Sequence, residues 1–400
     1  MPDFKMSFGT VAITEYSRKL ISEILDSQRV SQGRYVREFE EAFACLLGVK
    51  EAVALSSGTD ADTLALAALY DFGLERQDEV IVPALSFVAT GNAVLHAGLK
   101  PVFVDVDRQT LNIDASKIER AITKKTRVIM PVHLMGKPAD MDKIKQIADK
   151  HNLYVIEDAA EAHGAEYKGK KIGTIGDMAA FSLYVAHMIS TIEGGIVVTD
   201  NPEFAEILRS LRAHGRACKC PECVLNTNSA YCPRRFDEKN RDIRFVFERI
   251  GYSSKMNEIE AAVGLGNIKI YPEVLAKRRE NLLYLIEKFS DFSAYMTTIR
   301  EEPDEKIGPH AFPIILREDV QWTRDEFVSY LEKNGVETRS LFCSMPTQCK
   351  GFQFLGYKSG DFPNAEYMEN HGLHIGLHQG IGKKDIDCLL EIINKFLSLK

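Results

Sequence analysis

Four cysteines lie within one short segment of this 400-residue chain, in the pattern Cys218-x-Cys220-x2-Cys223-x8-Cys232. Four thiolates over one loop are the usual ligands of structural zinc and of iron–sulfur clusters. Free loop thiols are the third interpretation, and the spacing alone leaves all three open. The other four cysteines are scattered along the chain and indicate packing residues.

Three further motifs place polar side chains where a ligand could bind. Residues 56–59 (S-S-G-T) precede a strongly helical stretch, and free N–H groups at a helix N-terminus bind phosphate; a plain helix cap is the alternative. Asp158 ends an apolar run, and a carboxylate at such a strand end can hold a ring nitrogen protonated; a solvated loop acid is the alternative. His187 lies in a polar turn between Ser182 and a glycine pair, and an isolated histidine of this kind is usually structural.

Apolar runs alternate with helical patterns between residues 50 and 200, which predicts an α/β fold with parallel strands and right-handed crossovers. The predicted strands span 79–83, 100–105, 127–133, 153–158 and 181–182, and the predicted helices span 62–70, 87–97, 141–151 and 204–214. A long helix is expected from about 257, and a strand at 311–316. We therefore predict a large domain over 1–265, with a cysteine-rich insertion at 216–250, and a smaller α/β domain over 266–400.

Composition excludes several classes of protein. Hydrophobic residues make up 45% and charged residues 27% of the chain, which is ordinary globular composition rather than disorder or coiled coil. The net charge of −7 disfavours a general nucleic-acid or anionic-membrane binder. Residues 1–5 contain no signal core, and the uncharged stretch 80–99 is interrupted by polar residues and proline. We expect a cytoplasmic protein with reduced thiols and no membrane span.

Together these motifs resemble the sugar aminotransferase and dehydratase family of vitamin-B6 enzymes, which has the aspartate aminotransferase (type I) fold. The resemblance covers most of the chain. It rests on S-Q-G-R-Y-V-R-E-F-E (31–40), S-S-G-T (56–59), V-P-A-L-S-F-V-A-T (82–90), I-E-D-A-A-E-A-H-G (156–164), F-S-L-Y (181–184), E-G-G (193–195) and G-Y-S-S-K-M-N-E-I-E-A-A-V-G-L (251–265).

The resemblance implies pyridoxal 5'-phosphate or its amine form, pyridoxamine 5'-phosphate, as cofactor. Its implied contacts are Gly58, Thr59 and Ser182 at the phosphate, Phe87 on the ring face, Asp158 at the ring nitrogen, Glu161 near the phenolic oxygen and Ser253 toward the neighbouring subunit. Two residues depart from the family pattern, because Glu161 stands where most members have glutamine and Ser253 where many have asparagine. The position of Ser253 implies a homodimer with composite sites.

His187 decides which branch of the family the chain resembles. Aminotransferases of the family have at this position the lysine that holds the cofactor covalently, and no lysine occurs here between Lys171 and Lys219. The chain looks like the small dehydratase branch, which uses non-covalent pyridoxamine phosphate. The resemblance implies that His187 is the catalytic base, with Asp158 as its catalytic partner on the cofactor, and that the C3 hydroxyl of a nucleotide-linked 4-keto-6-deoxyhexose departs.

One subgroup, the iron–sulfur 3-dehydrases, resembles the chain around Cys232-Pro-Arg-Arg-Phe236, although Ala160 replaces one of its ligand cysteines. This implies an iron–sulfur cluster on Cys218, Cys220, Cys223 and Cys232, with a partner reductase as electron donor and net C3 deoxygenation. For the substrate, the resemblance implies contacts from late loops. These residues are Arg339, His374 and His378.

The alternatives remain open at this stage. One is the same dehydratase without a redox centre, with zinc in the cysteine loop and an amino acid regenerating the amine cofactor. A second is a non-catalytic binding or regulatory protein on this fold that lost its lysine together with its activity. An ordinary aminotransferase is disfavoured by His187, because an imidazole cannot replace the lysine amine as a carbonyl nucleophile.

Overall fold

The computed structural model describes residues 6–221, 223–227 and 231–400. Its α-helices are α1 (Glu15–Ser27), α2 (Arg34–Leu47), α3 (Gly58–Ala68), α4 (Val88–His96), α5 (Ala115–Ile118), α6 (Met141–His151), α7 (Pro202–Leu211), α8 (Val224–Thr227), α9 (Glu258–Phe289), α10 (Arg324–Lys333), α11 (Met345–Gln348), α12 (Pro363–His371) and α13 (Lys383–Ser398). Its strands are β1 (Glu51–Leu55), β2 (Glu79–Pro83), β3 (Leu85–Ser86), β4 (Lys100–Val104), β5 (Thr126–Ile129), β6 (Tyr154–Asp158), β7 (Glu166–Tyr167), β8 (Lys170–Lys171), β9 (Met178–Ser182), β10 (Gly195–Thr199), β11 (Met296–Thr297), β12 (Glu305–Lys306), β13 (Ala311–Leu316), β14 (Thr338–Ser340), β15 (Cys343–Ser344) and β16 (Gly372–Gly376). Residues 1–5, on which the absence of a signal sequence was predicted, lie outside the described residues.

A seven-stranded sheet forms the centre of the protein, in the order β1-β10-β9-β6-β5-β2-β4. The pairs β9-β6, β6-β5, β5-β2 and β2-β4 are parallel, which confirms the predicted mostly parallel α/β sheet. The sheet is mixed at one side, where β10 is antiparallel to both β9 and β1. Residues 183–194 join β9 to β10 without a helix, so this connection lacks the helical crossover that is usual between parallel strands.

Both faces of this sheet are covered, and its strands alternate between two apolar cores. Val53 and Leu55 of β1 belong to one core, whereas Ala52 and Ala54 belong to the other. Successive side chains of a strand point to opposite faces, so buried strands become apolar on both. The first core includes α3 and α7 and continues into the C-terminal part of the chain; the second includes α1, α2 and α6.

A second, four-stranded sheet in the order β11-β13-β16-β14 lies in the C-terminal part. The N-terminal segment joins its edge, since Met6 pairs with Val336 and Met6 N–H donates to the carbonyl oxygen of Gly335 (3.2 Å). The 32-residue helix α9 begins at an Asn257 cap. The predicted boundary at 265/266 falls inside this continuous helix, and the division into two domains stays a prediction.

The segment 216–250 contains little regular structure beyond α8 and a short turn of 3₁₀ helix at Ile243–Phe245. Several of its large apolar side chains are exposed, among them Tyr231, Phe245 and Ile250. Within the described ranges, no helix has both the length and the apolar character needed to cross a membrane.

Candidate active site

The start of α3 meets the end of β9 in a close backbone approach. The hydroxyl of Ser57 caps α3 by accepting from Asp60 N–H (3.0 Å), and Gly58 and Thr59 open the helix. A Cβ on Gly58 would lie 2.8 Å from Cβ of Ser182, closer than real side chains allow. Three of the predicted phosphate contacts therefore come together at a helix N-terminus, where backbone N–H groups and the helix dipole favour an anion.

Asp158 ends β6 at the centre of the sheet and is buried. Its Oδ2 accepts from the Thr90 hydroxyl (2.7 Å) and its Oδ1 from Ala160 N–H (3.2 Å). Burial raises the pKa of Asp158, although these hydrogen bonds oppose the shift. A protonated ring nitrogen beside the carboxylate would favour its charged form.

Asp62, on α3, is a second buried carboxyl that the sequence analysis missed. Its Oδ1 has no hydrogen-bond partner among the described residues. Burial, with the neighbouring charge of Asp158 as a smaller cause, raises the pKa of Asp62 well above its usual value. A second buried carboxyl with a raised pKa therefore lies close to the one expected at the ring nitrogen.

His187 lies in the turn after β9, where its N–H donates to the carbonyl oxygen of Tyr184 (2.9 Å). The residue is half-buried, but its Nδ1 is buried and has no hydrogen-bond partner within the part of the chain that the structure describes. Burial, aided by the neighbouring His163 and Arg278, lowers the pKa of His187 to about 3. The imidazole is therefore neutral at physiological pH and has a nitrogen that can accept a proton.

His310 lies against His187, with ring centroids 4.9 Å apart and planes tilted by 30°. The sequence analysis missed this residue because it precedes β13, far along the chain from the other motifs. Its Nε2 lies 3.5 Å from Oε1 of Glu161. Burial, followed by the effect of His187, lowers the pKa of His310 well below the usual range, so this contact joins neutral groups.

Glu161, the neighbour of His310, is fixed by the backbone of Met135, whose N–H donates to Oε2 of Glu161 (2.7 Å). Burial raises the pKa of Glu161 to about 8, with the nearby Asp158 as a smaller cause. At neutral pH this side chain is therefore mostly a carboxylic acid, able to donate a hydrogen bond as the more usual glutamine would.

Arg278 of α9 was also missed, because one arginine in a long helix gives no motif. It is almost fully buried, and its Nε donates to Oε1 of Gln379 (3.0 Å). Burial lowers its pKa to about 10, so it keeps its charge. Its field contributes to the low pKa of His187 and His310, which places this cation near the histidine group.

Phe87, predicted to cover the cofactor ring, has an exposed side chain that packs on Phe342 (ring centroids 5.7 Å). His374 of β16 lies next to the same Phe342 (5.6 Å) and to Phe8 (5.2 Å). The Arg339 guanidinium stacks over Phe8 at 4.0 Å. The structure thus connects Phe87, His374 and Arg339 through aromatic contacts.

His378 and Ser253 lie apart from this aromatic group. The Nε2 of His378 is 3.0 Å from the Ser7 hydroxyl, and its Nδ1 accepts from Gly380 N–H (3.1 Å). Both ring nitrogens are therefore engaged in the fold, which fits a structural role better than substrate contact. Ser253 is exposed, and its backbone pairs with Ala213 beside the cysteine-rich segment.

The four clustered cysteines line one cavity together with Arg234, Arg235 and Arg244. Burial, with the neighbouring thiols as further causes, raises the pKa of Cys218. In residues 6–221, 223–227 and 231–400, however, no group of three or more histidine, cysteine or acidic side chains is placed to hold a metal ion.

The mixed sheet and the polar groups at its carboxyl edge are those of the aminotransferase fold of vitamin-B6 enzymes. The structure of E coli GDP-4-keto-6-deoxy-D-mannose-3-dehydratase with bound hydrated PLP superposes with a TM-score of 0.86 at 32% identity, covering 97% of this chain and 98% of that one. The family model described as DegT/DnrJ/EryC1/StrS aminotransferase family matches residues 11–394. The chain belongs to this family.

Two relatives show the range of activities to which the chain is similar. It is 36% identical to a GDP-4-keto-6-deoxy-D-mannose 3-dehydratase of Yersinia pseudotuberculosis, over 94% of each chain. It is also 36% identical to a GDP-perosamine synthase of Caulobacter vibrioides, over 98% of each chain. Overall identity therefore does not separate a dehydratase from a synthase, and the site residues must do so.

Proposed function

We propose that this protein is a pyridoxamine-phosphate-dependent 3-dehydratase of a nucleotide-linked 4-keto-6-deoxyhexose. The observation that carries the proposal is His187. Its imidazole is neutral, its buried Nδ1 has no partner among the described residues, and the resemblance places it where the family's aminotransferases have lysine. A histidine cannot anchor the cofactor as a lysine amine does, but it can move a proton.

The residues present fit the cofactor. The Gly58 approach to Ser182 leaves a helix N-terminus open for the phosphate, and the buried Asp158 is ready to pair with a protonated ring nitrogen. Thr90 orients that carboxyl, and Phe87 offers an exposed ring face. When bound, the protonated ring supplies an electron sink for the pair released at C4′.

In this proposal His187 accepts a proton from the C4′ methylene, and the C3 hydroxyl leaves the sugar. The low pKa of His187 keeps its imidazole unprotonated before the reaction. Glu161, whose pKa is about 8, supplies a neutral acid in contact with His310. Arg278 keeps a positive charge near these groups, where it would balance an anionic substrate.

The test uses protein loaded with pyridoxamine phosphate and one equivalent of GDP-4-keto-6-deoxy-D-mannose, the sugar named for the relatives. A dehydratase gives a product without the C3 hydroxyl, whereas an aminotransferase gives an amino sugar, and mass spectrometry separates them. Positioned acid–base groups contribute about 10²–10⁴-fold, so His187→Asn should slow product formation by that order while still binding cofactor. An Asn variant as fast as wild type, or an amino sugar as the main product, would contradict the proposal.

A second candidate function is the same dehydration coupled to a metal centre in the cysteine loop, favoured by the position of four thiols around one cavity. Because the described residues form no ready metal site, no step of the proposed reaction passes through a metal. Iron, zinc and acid-labile sulfide are measured on anaerobically purified protein. Iron with matching sulfide, and deoxygenation only with added reductant, would support the cluster and a partner reductase; one zinc without sulfide would support the redox-silent dehydratase.

A further inference from the structure

A strongly basic cavity lies against the cysteine segment and shares part of its wall, Cys218, Cys220 and Cys223, with the cysteine cavity described above. Its cationic lining comes from α7, from the chain that follows it and from the strand-like segment before α9. These residues are Arg209, Arg212, Arg216, Arg244 and Lys255. The turn before α2, at Gln32 and Gly33, closes the other side.

Three guanidinium groups of this cavity keep buried N–H groups unused. Arg209 Nε, Arg212 Nη2 and Arg216 Nε are buried without a hydrogen-bond partner among the described residues. The side chains of Arg209 and Arg212 are only 9% and 2% exposed. Leaving a buried donor unpaired costs about 1–3 kcal/mol, more for charged groups, so three around one cavity indicate a missing acceptor.

The cavity also carries excess positive charge. Arg209 pairs with Glu51 and Arg212 with Glu40, and these pairs fix their guanidinium groups in place. Arg244 is held by Asp242. In the described part of the chain, by contrast, no carboxylate pairs with Arg216 or Lys255, and the Arg216 guanidinium lies over the Phe245 ring at 6.0 Å from its centroid.

We propose that this cavity binds a phosphate or diphosphate group. Arginine forks match the oxygen spacing of phosphate, and two unbalanced cations suit a doubly charged anion better than a single carboxylate. Buried ion pairs with Glu40 and Glu51 hold two of the forks in advance, so little side-chain entropy is lost when the anion binds.

The cavity adjoins the proposed phosphate site of the cofactor through the backbone. Lys255 pairs with Leu55, and the carbonyl oxygen of Ser254 accepts from Ser56 N–H (3.1 Å), one residue before the Ser57 cap of α3. Two sources of the anion fit this position: the diphosphate of a nucleotide-sugar substrate, and a separate phosphate compound. The first source rests on the proposed function, and the second does not.

The experiment titrates the full-length protein with inorganic diphosphate and with GDP by calorimetry. The variants are Arg216→Met and Lys255→Met, with Arg216→Lys to keep the charge. Arg241→Met is the matched control, because Arg241 lies in the same segment but is exposed and paired with Asp237. We expect about tenfold or weaker binding of diphosphate in both methionine variants, a smaller loss in Arg216→Lys, and none in the control.

Competition then identifies the source of the anion. If inorganic diphosphate competes with the nucleotide sugar, and the methionine variants raise KM with little change in kcat, the cavity holds the substrate's diphosphate. If diphosphate binds without competition, the cavity serves a separate phosphate ligand. Because binding is measured without turnover, it does not depend on whether dehydration occurs. Folded wild-type protein that fails to bind diphosphate at millimolar concentration, or folded variants that bind it as wild type does, would overturn the proposal.

Discussion

Gly58→Ala tests whether the contact between α3 and β9 forms the phosphate site. The added Cβ would lie 2.8 Å from Cβ, 3.0 Å from Oγ and 3.2 Å from Cα of Ser182. Ser182 belongs to a central strand and is buried, so α3 and not β9 is expected to shift. Extra atoms forced into a well-packed position typically cost about 1–3 kcal/mol.

The magnitude of the effect on the cofactor follows from this cost. If binding the phosphate requires the native approach of α3, the whole cost falls on the bound state. Since about 1.4 kcal/mol corresponds to tenfold in affinity, pyridoxamine phosphate should bind about fivefold to 150-fold more weakly. Any part of the cost that the empty protein also bears should appear as a lower free energy of unfolding in urea.

The assay combines cofactor titration with urea unfolding of the empty protein. Pyridoxamine, which lacks the phosphate, is the comparison ligand and should lose much less affinity. Gly351→Ala is the control variant, because a Cβ there meets nothing within 4 Å. Adding Ser182→Gly to Gly58→Ala removes the clashing atoms, and a double-mutant cycle should show the clash relieved. Unchanged phosphate-dependent affinity and stability in Gly58→Ala would refute the reasoning.

Three further predictions concern stability, assembly and cofactor attachment. Asp62→Leu should raise the free energy of unfolding by about 1–3 kcal/mol, because it removes an unpartnered buried carboxyl. In the folded state Asp62 keeps its proton above pH 3.8, where the unfolded chain releases it. The free energy of unfolding of the wild type therefore falls as the pH rises above 3.8, and the stability advantage of Asp62→Leu in urea unfolding should grow. The chain should sediment as a homodimer, since Tyr231, Phe245 and Ile250 expose large apolar surfaces; a fully active monomer of about 45 kDa would contradict this. Borohydride treatment of the protein with pyridoxal phosphate should leave its denatured mass unchanged, and a stable phosphopyridoxyl adduct at the active site would contradict non-covalent binding.

Regular elements with strong local signals were predicted well, and elements that depend on distant contacts were not. The helix Met141–His151 and the strand Ala311–Leu316 have the predicted bounds. The strand predicted to reach residue 133 ends at Ile129, because Pro131 has no N–H for a ladder. The helix expected from residue 62 begins at Gly58, directly after the Ser57 cap, whereas the close approach of Gly58 to Ser182 involves a neighbour that only the folded sheet provides.

The same distinction applies to the site. Asp158 and His187 were found because each follows a recognisable strand, and the family resemblance gave them roles. Asp62, Arg278 and His310 each lack a local motif, and only burial beside those residues makes them notable. The buried guanidinium N–H groups next to the cysteine loop that have no partner among the described residues belong to the same class, because a missing hydrogen-bond partner is a property of the fold and leaves no pattern in the sequence.

Burial separates the titration of the acid and the base in this site. It lowers the pKa of His187 to about 3 and raises that of Glu161 to about 8, so at neutral pH one is an unprotonated base and the other a protonated acid. His310 lies between them, against the ring of His187 and 3.5 Å from Glu161. The proposed elimination needs a proton taken at one atom and a hydroxyl assisted at another, and two groups whose pKa values are shifted in opposite directions would supply both at a single pH. A lysine at 187 would bring a positive charge into the same pocket beside Arg278, so the neutral histidine also fits the electrostatics of its surroundings.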